Sequence, residues 1–285
     1  MKKNLSIVRK FLLWWFSPPN SPWVNVNLSV DFTHAISYLE QLNQDSSLPK
    51  ITVQHLLCAS MTRALLEVPE ANSRIVGGKI ISQKHIGIAM PVNLLGHEAG
   101  KKRELSVLLL KDTQNKSLRM LAKEGRRDLK KERSGQMTAP FLRYLLSIGE
   151  KLPPQLLHRT MNTLDRLMQQ PTFSQRLYEM FPVTTALSNP GAALPSDVDG
   201  LLFRSCSVQL PTRLVHVGTF FAASAVQKEV IPIAGKPEVR PMLPLMLLFD
   251  HRLIDGMKAS KLLLHMTDCI RDPQRFFGAN GQLLP

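Results

Sequence analysis

The chain has 285 residues, is 44% hydrophobic and carries 36 Lys/Arg against 22 Asp/Glu, a formal net charge of +14. That length and apolar content suffice for one folded domain with a sizeable core, and they exclude a disordered or low-complexity chain. Cys58, Cys206 and Cys269 are widely spaced, which excludes a disulfide framework and a cysteine metal knuckle, and their small or apolar neighbours make each a buried thiol in a reducing, cytoplasmic compartment.

At the start of the chain, Lys2, Lys3, Arg9 and Lys10 flank Phe11, Leu12, Leu13, Trp14, Trp15 and Phe16, and the run stops at Ser17-Pro18-Pro19. It is too short to span a bilayer and ends in no small-residue cleavage site. Residues 1–21 are expected to form a separate N-terminal arm, for which a peripheral tryptophan anchor on a membrane surface is one reading. Further on, Ala99 to Arg133 holds twelve Lys/Arg and five Asp/Glu, half of the excess charge. This stretch reads as a solvated helix face or as a surface that attracts phosphates, an acidic protein or anionic lipid. Nucleic acid fits poorly, because GRRDLKKER interleaves acids with bases and lacks stacking aromatics.

Between about 134 and 180, Phe141, Leu145 and Leu146, then Leu156, Leu157, Met161, Leu164, Leu167 and Met168, recur at helical spacing. Pro153-Pro154 supplies a break, so the spacing predicts a helical hairpin that adds core or a lid, or presents a docking surface. Near the C-terminus, Met242 to Leu248 is an apolar run of strand length, interrupted only by Pro244, and Met257 to Arg271 has helical periodicity. Ala259, Leu262, Leu263, Met266 and Ile270 would form the stripe facing the core.

The segment joining that strand to that helix, Phe249 to Gly256 (FDHRLIDG), reads as an active-site loop. Asp255 occupies the N-cap position, where a carboxylate accepts from an orphan backbone N–H, so its placement is accounted for without chemistry. His251 is poorly placed for core filling and well placed at a cleft edge. Other arrangements are missing: there is no Gly-x-Ser-x-Gly elbow and no phosphate-binding loop. His34, His55, His85, His97, His158, His216 and His265 form no close metal-ligand pair on one helix face, and no metal is expected.

The stretch from Met242 to Phe277, with the proline before it, resembles the end of the acyltransferase subunit of 2-oxoacid dehydrogenase complexes, a family that shares its fold with chloramphenicol acetyltransferase. The resemblance extends backward in the family's order through PWVNVNLSVDFT (Pro22 to Thr33), ITVQHLLCASMTRALLEVP (Ile51 to Pro69) and KHIGIAMPV (Lys84 to Val92). It continues through NKSL (Asn115 to Leu118), TTALSNPG (Thr184 to Gly191) and LPTRLVHVG (Leu210 to Gly218). Met180, Phe181 and Pro182 stand where the family has a glycine pair, and the 134–180 region is an insertion relative to it.

The resemblance implies a mixed α/β fold of the chloramphenicol acetyltransferase type, a two-layer mixed sheet with helices plus the inserted hairpin, over residues 22–285. It implies a homotrimer with active sites between subunits and with the N-terminal arm of residues 1–21 packed on a neighbouring subunit. His251 would be the general base and Ser188, from the facing subunit, the donor to the oxyanion, with Asp255 and Arg252 holding the loop. A coenzyme A thioester is the expected co-substrate, with no permanently bound cofactor. With no room before Pro22 for a lipoyl module, the acyl donor is expected to be separate: acyl-CoA, an acidic carrier protein or a separate lipoyl domain. The competing expectation is a non-catalytic interaction or membrane-surface protein that retains the fold.

Overall fold

The computed structural model describes residues 21–94, 105–136, 138, 152–190, 202 and 216–282. Strand β1 (Trp23–Asp31) leads into helix α1 (Thr33–Leu42). Helix α2 (Val53–Glu67) begins after an N-cap at Thr52 and stops short of Pro69. A small hairpin follows, β2 (Ser73–Val76) and β3 (Lys79–Ser82), turning at Gly77 and Gly78 with φ of 54° and 73°. Strands β4 (Ile88–Asn93) and β5 (Leu105–Leu110) precede helix α3 (Leu118–Arg133), whose first turn is capped by Ser117 Oγ accepting from the Met120 N–H at 3.2 Å. Helices α4 (Pro154–Met168) and α5 (Pro171–Met180) come next. The chain closes with β6 (Thr185–Ser188), β7 (Thr219–Ala223), β8 (Gln227–Ile233), β9 (Lys236–Asp250), α6 (Gly256–Arg271) and α7 (Pro273–Phe277).

The main sheet runs β1-β9-β7-β6-β4-β5, with β8 paired to the first half of β9. Pairs β4/β6 and β6/β7 are parallel, and the remaining pairs are antiparallel. The apolar run at Met242 proves to be the second half of a strand of 15 residues. It is hydrophobic without alternation because β1 and β7 flank it and both faces of the sheet are covered. Pro244 is tolerated there because the ladder with β7 begins only at Leu245, so its missing N–H falls at the end of β7.

Alternation within each strand divides the core. Phe221, Ala223, Leu243, Leu245, Leu247 and Phe249 face the layer built by α1, α2 and α6, where Phe32, Leu57, Met61, Leu262 and Met266 are buried. The opposite face carries a smaller apolar cluster of Ala89, Ala186, Phe220, Ala222, Met246 and Leu248. The predicted stripe of α6 is buried at all five positions.

Of the inserted region, the described residues hold α4, which starts at Pro154, and α5, joined to it through Gln169-Gln170. Phe141, Leu145 and Leu146 lie outside the described residues. Met168 is buried, but Leu156 and Leu167 are 48% and 44% exposed, so the apolar spacing of α4 marks only a partly covered face. Of the stretch Leu210 to Gly218, residues 216–218 are irregular and lead into the strand that begins at Thr219, and 210–215 lie outside the described residues.

Candidate active site

Strand β9 ends at Asp250, and the next residues turn tightly into α6. The turn is held to its surroundings by backbone bonds from Asp250 N–H to Gly218 O and from His251 N–H to Pro22 O, both 2.9 Å. Leu253 N–H closes it onto Asp250 O at 2.9 Å. A Cβ on Gly218 would lie 2.4 Å from Leu253 Cδ1 and 3.1 Å from Ser73 O, so a larger residue here would push the Leu253 side chain aside.

His251 is half-buried, with its ring edge-on to Phe249 at 6.0 Å. Its Nδ1 lies 3.1 Å from Ile254 O. A carbonyl only accepts, so Nδ1 carries the ring proton in the neutral form and Nε2 carries the lone pair. That is the tautomer a base acting through Nε2 requires.

Asp255 Oδ1 accepts from the Lys258 N–H at 3.1 Å, which makes Asp255 the N-cap of α6. Arg252 turns inward to Asp250, a fully buried carboxylate. Asp250 Oδ1 accepts from Arg252 N–H at 2.9 Å and Nε at 3.0 Å, and Oδ2 from Nη2 at 2.7 Å. From outside the turn, His216 Nε2 donates to Asp250 Oδ2 at 2.8 Å. Burial alone would raise the Asp250 carboxyl, but the bonds from His216 and Arg252 outweigh it and hold the group below the ordinary aspartate value. Sequence reasoning missed this cluster: Asp250 lay inside the quoted loop, but its partner His216 is 34 residues away and showed only as a histidine without a metal pair.

Ser188 is not brought to His251 within one chain. It pairs in register with Ala222, which pairs with Met246. His251 therefore lies five residues further along β9, roughly 16 Å at ~3.3 Å per residue, beyond the offset of two strand spacings. The missing glycine pair does not prevent β6 from forming in register. The segment before it instead closes on Gly87, where a Cβ would fall 1.6 Å from Pro182 O.

Cys58 and Cys269 are buried, and burial pushes both thiols up to about 12, which removes them as nucleophiles; Cys206 lies outside the described residues. In the basic segment, Lys116 pairs with Glu124, Arg127 with Asp128, and Arg119 donates to Pro49 O and Leu42 O. Lys123, Arg126, Lys130, Lys131 and Arg133 leave α3 exposed, whereas Lys101, Lys102 and Arg103 lie outside the described residues. A cavity of about 620 Å³ between α1 and α7 is lined by His34, Tyr38, Asp268 and Arg271, at the end of α6 remote from His251.

The sheet order, the covering helices and the histidine at the end of β9 place the chain in a known fold class. Its structure superposes on a probable dihydrolipoamide acetyltransferase from Listeria monocytogenes with a TM-score of 0.60 at 18% identity, covering 95% of this chain and 94% of that one. It superposes on chloramphenicol acetyltransferase with a TM-score of 0.53 at 17% identity, covering 95% and 100%. These likenesses establish the chloramphenicol acetyltransferase-like fold. The model of the 2-oxoacid dehydrogenases acyltransferase (catalytic domain) family matches residues 16–141 and 219–278, and the chain belongs to that family. Helices α4 and α5, and strand β6 with Ser188, fall between the two matched ranges. The chain is similar to the dihydrolipoyllysine-residue succinyltransferase component of the 2-oxoglutarate dehydrogenase complex of Rickettsia bellii, with 39% identity over 49 residues. That match spans 17% of this chain and 12% of the relative's length.

Proposed function

We propose that the protein is an acyltransferase that moves an acyl group from a thioester donor to a thiol or hydroxyl acceptor. The observation that carries this reading is the His251 Nδ1 contact with Ile254 O, which leaves Nε2 as the proton acceptor at the turn between β9 and α6. Nε2 takes the acceptor's proton as its sulfur or oxygen attacks the thioester carbonyl. The tetrahedral oxyanion accepts a hydrogen bond from the Ser188 hydroxyl, the carbon–sulfur bond breaks, and the proton returns from His251 to the leaving thiolate. No acyl-enzyme forms. Because His251 and Ser188 stand far apart in one chain, the reading requires a neighbouring subunit to supply the serine, in a homotrimer with sites between subunits.

Coenzyme A thioesters are the proposed donors, with an acidic carrier protein or a separate lipoyl domain as alternatives. The exposed basic face of α3 suits the negative charge of each. The buried, unpaired thiols Cys58 and Cys269 support a cytoplasmic location. The test is release of free thiol from a panel of acyl-CoA donors, with dihydrolipoamide and pooled metabolites as acceptors. Wild type should release thiol and His251→Ala should be slower by at least about 1,000-fold; a folded His251→Ala protein with full activity would sink the mechanism.

A further inference from the structure

The turn bearing His251 is braced internally, because the Asp250–Arg252 pair spans His251 from one side to the other and shapes it. His216 acts from outside. Its ring is 10% exposed and has each polar atom committed: Nδ1 accepts from the Ile75 N–H at 3.3 Å, so Nε2 carries the proton and donates to Asp250 Oδ2 at 2.8 Å. The ring also stacks on Trp23, with centroids 6.4 Å apart and planes at 16°. Trp23 follows Pro22, whose carbonyl receives the His251 N–H. The one imidazole thus touches both supports of the catalytic turn, the carboxylate before His251 and the strand start that holds its backbone, and fastens them to β2.

From this arrangement we infer that His216 is a positioning residue for His251, acting through Asp250 and Trp23 without touching substrate. The inference rests on the base role proposed for His251. Its chemistry is specific: the position needs a donor toward Asp250 and a flat ring against Trp23. A misplacement of ~1 Å at a reacting group costs about 100-fold in rate, and leaves ground-state binding comparatively untouched. His216→Leu should therefore lower kcat by about 10- to 100-fold with KM within about threefold of wild type. His216→Gln, whose amide can still donate to Asp250, should recover most of that loss.

The experiment measures kcat and KM for both variants on the intact assembly, together with nitrogen NMR spectra of histidine-labelled protein, which distinguish the two imidazole tautomers without any turnover. Expected are an Nδ1–H signal for His251 in wild type and in His216→Gln, and a mixed signal in His216→Leu. Unchanged kcat and an unchanged His251 tautomer in His216→Leu would overturn the inference, as would equal impairment of the two variants, which would reduce the residue to core packing. Should His216→Leu fail to fold, His216→Asn, polar but too short to reach Asp250, takes its place. A wild type inactive with every donor would defeat the acyl-transfer reading, while the tautomer spectra would still decide the role of His216.

Discussion

At the scale of single residues, the proposed mechanism divides the work between a group that moves a proton and groups that hold it. His251 has its Nδ1 committed to Ile254 O, so its basicity is expressed at Nε2 alone. In the proposed reaction Ser188 has a different part, donating its hydroxyl to an oxyanion present only near the transition state. Ser188→Ala is expected to reduce turnover by roughly 100- to 1,000-fold with little change in thermal stability, as for the loss of one oxyanion donor. Activity within a few-fold of wild type would make Ser188 an ordinary strand-end serine. The histidine was legible in the sequence because a strand-to-helix junction is a poor place to fill a core. His216 was not, because its partners Ile75, Asp250 and Trp23 come from three distant parts of the chain.

At the scale of elements, two helix starts make distinct predictions. Asp255 caps α6 through the Lys258 N–H. Asp255→Ala should cost about 1 kcal/mol in chemical denaturation, whereas Asp255→Asn, which also caps well, should be near neutral in both stability and activity. A large loss of activity in Asp255→Asn would show that the negative charge matters and that capping is not the whole role. At the start of α2, His55 Nδ1 accepts from the Thr52 N–H at 3.0 Å, and burial, with Arg126 second, pushes the imidazole from 6.5 down to about 4. A depressed histidine favours the fold in its neutral form. Its contribution is complete above pH 6.5 and is lost as pH falls from there toward about 4, by at most tenfold per pH unit in the folding constant. Urea unfolding at pH 7.5 and pH 5 should show a greater loss for wild type than for His55→Gln; equal losses would assign the acid sensitivity elsewhere. Elements whose signals are local, such as the N-cap at Asp255 and the stripe of α6, were legible in the sequence. The inserted hairpin was less so, because helical spacing of apolar residues in α4 does not reveal that Leu156 and Leu167 meet solvent.

For the whole molecule, the sheet register carries the main consequence. A serine level with Met246 and a histidine beyond Asp250 cannot meet within one chain. If they work together they do so across a subunit boundary, and this has a direct test. His251→Ala and Ser188→Ala proteins, each nearly inactive, should regain activity when unfolded together and reassembled, because some interfaces then combine an intact histidine with an intact serine. No recovery from correctly reassembled mixtures would exclude a shared site. The sequence by itself determined the family, the loop with its histidine, the α6 stripe and its cap, because these depend on neighbours in the chain and on order along it. Only the tertiary structure decided that His216 meets Asp250, that Leu156 and Leu167 of α4 are half exposed, and that Ser188 stands level with Met246, well short of His251. Those are matters of register and long-range packing, set by which strands pair and where each begins, and no local pattern of residues encodes them.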